Sequence, residues 1–192
     1  MTIQWMLSSF ANEGKAFFIA IWAAGFLLLI KSKKAKVYQI LAVVFSVVAL
    51  LPYAGISFFS EMGIGYIDIE QRLTELPTWQ TMTIQNRIAF FWWIAAVLFT
   101  LVLLWKVTGH SVFISMVFLG GIASEAVLHF SPTIYASGAR VYYLTDLMYL
   151  FIILWMVMRM DSEKKKNLFI AGTAALGVIN FLSQYSIMLL KL

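Results

Sequence analysis

The chain contains no cysteine. Disulfides, thiolate metal sites and thiol nucleophiles are therefore excluded. Histidine is scarce as well. His110 and His129 are the only two and stand far apart in the chain, so no metal site is expected. Charged residues make up 12% of the chain, against about 25% in an ordinary soluble domain. Proline appears three times, at Pro52, Pro77 and Pro132. No Gly-x-Ser-x-Gly, His-Glu-x-x-His, phosphate-binding loop or dinucleotide fingerprint is found, and no cofactor is expected.

What is plentiful is apolar side chain. Hydrophobic residues are 62% of the sequence, and the mean hydropathy is +0.87. A soluble core cannot hide that much apolar surface in 192 residues, so a bilayer is expected to act as solvent for most of it. The predicted fold class is all-α, a polytopic transmembrane helical bundle forming a single integral membrane domain. The expected spans cover residues 16–30, 37–59, 88–105, 112–128, 141–158 and 168–190, with a long outer loop over 60–87. The first run is short for a span and needs Lys15 to snorkel. Residues 1–15 read as an interfacial lead-in with Trp5 and Phe10 at headgroup depth. Apolar residues at 66, 69, 73 and 76 predict a short amphipathic helix ended by Pro77. A tight turn carrying Gly109 and His110 is expected between the third and fourth spans. The charges from Arg159 to Lys166 are expected to form a loop. The tryptophans and phenylalanines are expected mostly in the interfacial belt and the core.

The net charge of +5 invites a nucleic-acid reading, but the placement of the charges argues against one. Lys31, Lys33, Lys34, Lys36, Lys106, Arg159, Lys164, Lys165 and Lys166 all fall in the turns after the first, third and fifth spans. Lys15, Arg72, Arg87, Arg140 and Lys191 fall on the opposite side. Basic residues mark the cytoplasmic side, so both termini are expected outside a cell membrane, the bacterial plasma membrane, with no nucleic-acid partner.

The unusual polar residues gather at the predicted outer end. Glu125 and His129 close the fourth span, the turn adds Ser131 and Thr133, and the fifth span opens with Arg140, Tyr142 and Asp146. Pro132 and Gly138 forbid one continuous helix through this stretch. An ionisable residue inside a membrane segment is a functional-site candidate, because a bare charge there is costly. One reading is an anion site. Arg140 would grip a phosphate with its planar fork of donors, and Ser131, Thr133 and backbone N–H groups would assist. Tyr142 and Asp146 are four apart and share a helical face. Glu125, His129 and Asp146 would hold a sugar or act as a base. The other reading is architectural, with Arg140 an interface anchor and both carboxylates satisfied inside the bundle. Thr173, Gly177, Asn180 and Gln184 form a second polar stripe, at helical spacing, that suits helix packing or a cavity lining.

The run Ser131-Pro132-Thr133-Ile134-Tyr135-Ala136-Ser137-Gly138-Ala139-Arg140 resembles a segment of bacterial polytopic membrane proteins related to the GT-C glycosyltransferases, over about residues 110–160. Such proteins use polyprenyl-phosphate-linked sugars at the outer face of the cell envelope. The resemblance implies Arg140 as a lipid-phosphate contact. Those enzymes carry a catalytic acid in a large first outer loop, whereas here the first span is followed by the lysine cluster. The chain looks like the C-terminal half of such a protein, an accessory or relative rather than a self-sufficient transferase. Three functions follow as expectations: binding a lipid-linked anion or sugar in envelope polysaccharide modification; transport, as a small transporter or its substrate-binding subunit; or a structural role beside other membrane subunits. Membrane lipids are expected partners in all three.

Overall fold

Apolar runs alternating with charged turns fold this chain as helices. The structure is a computed structural model describing residues 14–51, 84–128 and 143–189, with the side chains of residues 84–86, 89–90, 125–128 and 180–189 left out of the description. The helices are α1 (Lys15–Leu29), α2 (Lys36–Leu50, entered through a 3-10 turn at Lys33–Ala35), α3 (Ile84–Val107), α4 (Val112–Leu128), α5 (Tyr143–Met158) and α6 (Glu163–Leu189). No strand occurs among the described residues, and the all-α class is established. Over its described residues, no helix is long and apolar enough to cross a membrane. Residues 1–13 of the expected lead-in and the amphipathic helix expected over 66–76 lie outside the described residues.

α4 coincides with the expected 112–128. α6 does not start at 168; it begins at Glu163 and takes in the lysines expected to form a loop. The physical reason is a helix start at Ser162, whose carbonyl accepts the N–H groups of Lys165 at 3.0 Å and Lys166 at 3.1 Å. Glu163 then complements the positive end of the helix dipole and pairs with Lys166 at 2.7 Å. The expected turn after α3 is present. Gly109 has φ 67° and His110 φ 73°, and the His110 N–H closes on the Trp105 carbonyl at 2.9 Å.

α1 lies at the centre of the bundle, packed against α2, α3, α5 and α6. A helix apolar all round is one that can be buried all round. Phe18, Ile21, Trp22 and Ala24 are essentially sealed from solvent. The short run expected to be a marginal span is thus the axis of the fold. α2 meets α1 through Ala35, Ala42 and Ala49, a seven-residue repeat of small buried side chains that lets two backbones approach closely. The Gln39 amide donates to the Leu29 carbonyl at 2.6 Å and reaches the Ser32 carbonyl at 3.2 Å. The Leu29 carbonyl at the end of α1 thus accepts two donors, the Gln39 amide and the Ser32 N–H at 2.8 Å.

The core is aromatic. Phe18 stands edge-on to Trp93 (5.7 Å between ring centres) and to Phe118 (6.0 Å), and tilted against Tyr149 (5.8 Å). Phe45 of α2 stacks on Phe99 of α3 at 4.9 Å. These rings join five helices, so much of the aromatic content serves the interior, Trp93 included.

Helix direction follows from the contacts. Trp22 pairs with Thr100 and Gly25 with Leu103, so α1 and α3 run parallel. Lys31 reaches Asp161 at 2.9 Å, which brings the turns after α1 and α5 to one end. Lys165 meets the other Asp161 oxygen, also at 2.9 Å. Hydrogen bonds from Lys165 and then Lys31 hold the Asp161 carboxyl well below the usual carboxylate range. A lowered folded-state pKa stabilises at every pH above the unfolded value of about 3.9, and its contribution fades as pH falls from there toward the folded value. Lys165→Ala should raise the Asp161 titration midpoint more than Lys31→Ala does, as read by carboxyl-carbon NMR in an acid titration.

Candidate functional site

The predicted outer corner is built where α4 meets α5. Glycine at 121 eases that approach: a Cβ would stand 3.0 Å from the Tyr149 ring, which would have to give by a few tenths of an ångström. With that face bare, the Thr145 hydroxyl donates to the Gly121 carbonyl at 3.2 Å. The Ser124 hydroxyl donates to the same carbonyl at 2.9 Å. The two hydroxyl oxygens stand 3.0 Å apart. Two hydroxyl protons therefore serve three contacts, so at any moment one of the three is without a proton. Thr145 is buried, so its bond to Gly121 forms away from competing water, which strengthens it, while the two Ser124 contacts are part-buried.

This joint fixes what lies next to it. Glu125 follows Ser124 and Asp146 follows Thr145, so the backbone positions of the two carboxylates are carried side by side at the closed end of the pair. The Asp146 side chain is half-buried and forms no ion pair among the described residues. The Glu125 side chain lies outside the description, as do His129, Ser131, Thr133, Arg140 and Tyr142 in their entirety. No three His, Asp or Glu side chains gather as a metal set among the described residues.

The second polar stripe goes elsewhere. α6 packs on α1, and Thr173 turns its hydroxyl back to the Phe169 carbonyl at 2.9 Å. Gly177 is exposed with open space beside it. The described half of the stripe therefore faces away from the α4–α5 corner; Asn180 and Gln184 have no described side chains.

Sequence reasoning missed the hydroxyl pair. Thr145 was not singled out. Its only signal is a hydroxyl one residue before the Asp146 carboxylate. An apolar cleft of about 480 Å³ between α1, α2 and α6 was missed too. Compared with protein-family models, curated proteins and solved structures, the chain matches none.

Proposed function

We propose that this is a multi-pass membrane protein whose α4–α5 end binds a lipid-linked anion, with Arg140 on the phosphate and Glu125, His129 and Asp146 on the attached group. The chemistry suits a polyprenyl-phosphate sugar. On this reading the protein is an accessory or relative of envelope polysaccharide glycosyltransferases and does not catalyse transfer alone.

Two features support membrane residence. The outer helices turn large apolar side chains outward, among them Val37 (66% exposed), Phe113 (64%), Leu147 (60%) and Leu168 (62%). Soluble monomers rarely leave such faces uncovered. Beside the aromatic core, small residues and hydroxyls bring helices together at Ala35, Ala42, Ala49, Gly121 and Thr145, as helices in lipid commonly do.

The anion site rests on one observation, the sealed Gly121–Ser124–Thr145 joint. It makes a firm base for a turn that carries the chain's densest group of polar residues. The transporter reading would instead place Asn180 and Gln184 of α6 with Glu125 and Asp146 around one cavity; of these only the Asp146 side chain is described. The deciding experiment is native mass spectrometry in phosphatidylcholine nanodiscs with added polyprenyl phosphate. The unaltered chain should retain the lipid and Arg140→Ala should lose it. Equal retention, or none in either, would reduce the corner to architecture.

A further inference from the structure

The cleft between α2 and α6, floored by α1, is almost wholly apolar. Phe26 of α1, Val43 and Val47 of α2, and Phe169, Gly172 and Leu176 of α6 line it. The hydroxyl of its Thr173 is already committed to the helix backbone. At about 480 Å³ it falls within the range of small-molecule sites. One end of it is strongly basic. On α2, Lys36 shares a helical face with Val43 and Val47; on α6, Lys164 and Lys165 stand one turn before Leu168 and Phe169.

The charges at that end do not cancel. Asp161 engages Lys31 and Lys165, and Glu163 engages Lys166. Lys33, Lys34, Lys36 and Lys164 form no salt bridge among the described residues and are exposed. The Lys31–Asp161–Lys165 bridge draws the two lysine-bearing turns together, so the surplus positive charge gathers at the end of the bundle where α2 and α6 begin, one to two helical turns beyond the residues that line the cleft.

We infer that this cleft is a binding site for an anionic phospholipid, one acyl chain lying between α2 and α6 and the phosphate held by the lysine rim. An apolar slot under a cationic rim complements an amphiphile with an anionic head. A neutral lipid would leave the rim unanswered, and a soluble anion would leave the slot unfilled. The site lies at the opposite end of the bundle from the Arg140 corner. It rests on the membrane reading of the chain and not on the corner's ligand.

The test uses the full chain, reconstituted in vesicles of equal phosphatidylglycerol and phosphatidylcholine, extracted in mild detergent and weighed by native mass spectrometry. The unaltered chain should retain one phosphatidylglycerol in preference to phosphatidylcholine. Lys36→Gln with Lys164→Gln should bring phosphatidylglycerol down to the phosphatidylcholine level. Gly172→Phe should abolish both adducts. A Cβ at Gly172 meets nothing within 4 Å, and phenylalanine is a better helix former than glycine, so this variant fills the slot without straining the fold. Arg140→Ala should leave the adduct intact, which separates the two sites. Equal retention of the two lipids by the unaltered chain, an undiminished adduct in Gly172→Phe, or a co-purifying protein in place of lipid would overturn the inference. Membranes are also washed in alkaline carbonate. A chain that resists the wash yet carries no phosphatidylglycerol overturns this site alone, whereas a chain that washes off overturns the membrane reading itself.

Discussion

Trp22→Ala is expected to cost about 3–5 kcal/mol of fold stability. Trp22 is completely buried and its ring meets Phe18, Phe45, Trp92 and Phe99 across three helices. Alanine would leave a hole at the axis of the bundle, where α1 cannot shift toward one neighbour without leaving another. On the proposed membrane reading, the water-to-interior share of the loss shrinks, because the unfolded reference is also apolar. The lost dispersion contacts and the cavity do not shrink. The polar part separates by a second pair of variants. The indole N–H donates to the Thr100 hydroxyl at 2.8 Å, and that hydroxyl donates onward to the Ala96 carbonyl at 2.7 Å. Trp22→Phe leaves Thr100 still donating and should cost less than Trp22→Ala. Thr100→Val strands the buried indole N–H and should cost about 1–3 kcal/mol. Denaturation in mixed micelles, followed by tryptophan fluorescence and circular dichroism, measures all three. A Trp22→Ala loss below about 1 kcal/mol would mean that the ring cluster does not form.

Why the helices were legible and their arrangement was not follows from the same residues. Apolar runs broken by lysines and glycine mark helices whatever surrounds them, so α4 and the Gly109 turn were evident in the sequence. Direction was not. Lys15–Leu29 is apolar on every side, which fits a helix facing lipid and a helix facing five others equally well, and its brevity suggested a marginal role. Trp22 and Thr100 lie 78 residues apart, and nothing local in either announces the other. At Ser162-Glu163 the signal was present but weaker than the charge run beside it. A serine followed by an acid starts helices, while a lysine run suggests a solvated loop. At the corner, residue chemistry pointed to Arg140, Asp146 and Glu125. The Gly121–Thr145 contact that joins the helices depends on which faces meet, and helical periodicity alone does not choose between them.

The closest approach of α1 to α3 makes the second large prediction. A Cβ on Gly25 would stand 2.7 Å from Leu103 Cδ2, 3.0 Å from its Cγ and 3.2 Å from its Cδ1. Leu103 is fully buried, so it cannot swing out to solvent, and all three of its outer carbons obstruct the same position. Gly25→Leu must therefore push the helices apart or force off-rotamer side chains, at a cost of about 1–3 kcal/mol or more. Leu103→Ala alone should cost about 2–5 kcal/mol, because it opens a cavity against a glycine that cannot fill it. Combining the two places the new leucine in the space vacated by the old one. The double variant should be more stable than the sum of the single losses by about 0.5–3 kcal/mol, the coupling expected of residues in direct contact. Leu176→Ala on α6, which touches the other side of α1, provides the control and should add to Gly25→Leu without coupling. A strictly additive Gly25–Leu103 pair would show that α1 does not pack against α3 at this level, and with it the central place of α1 would fall.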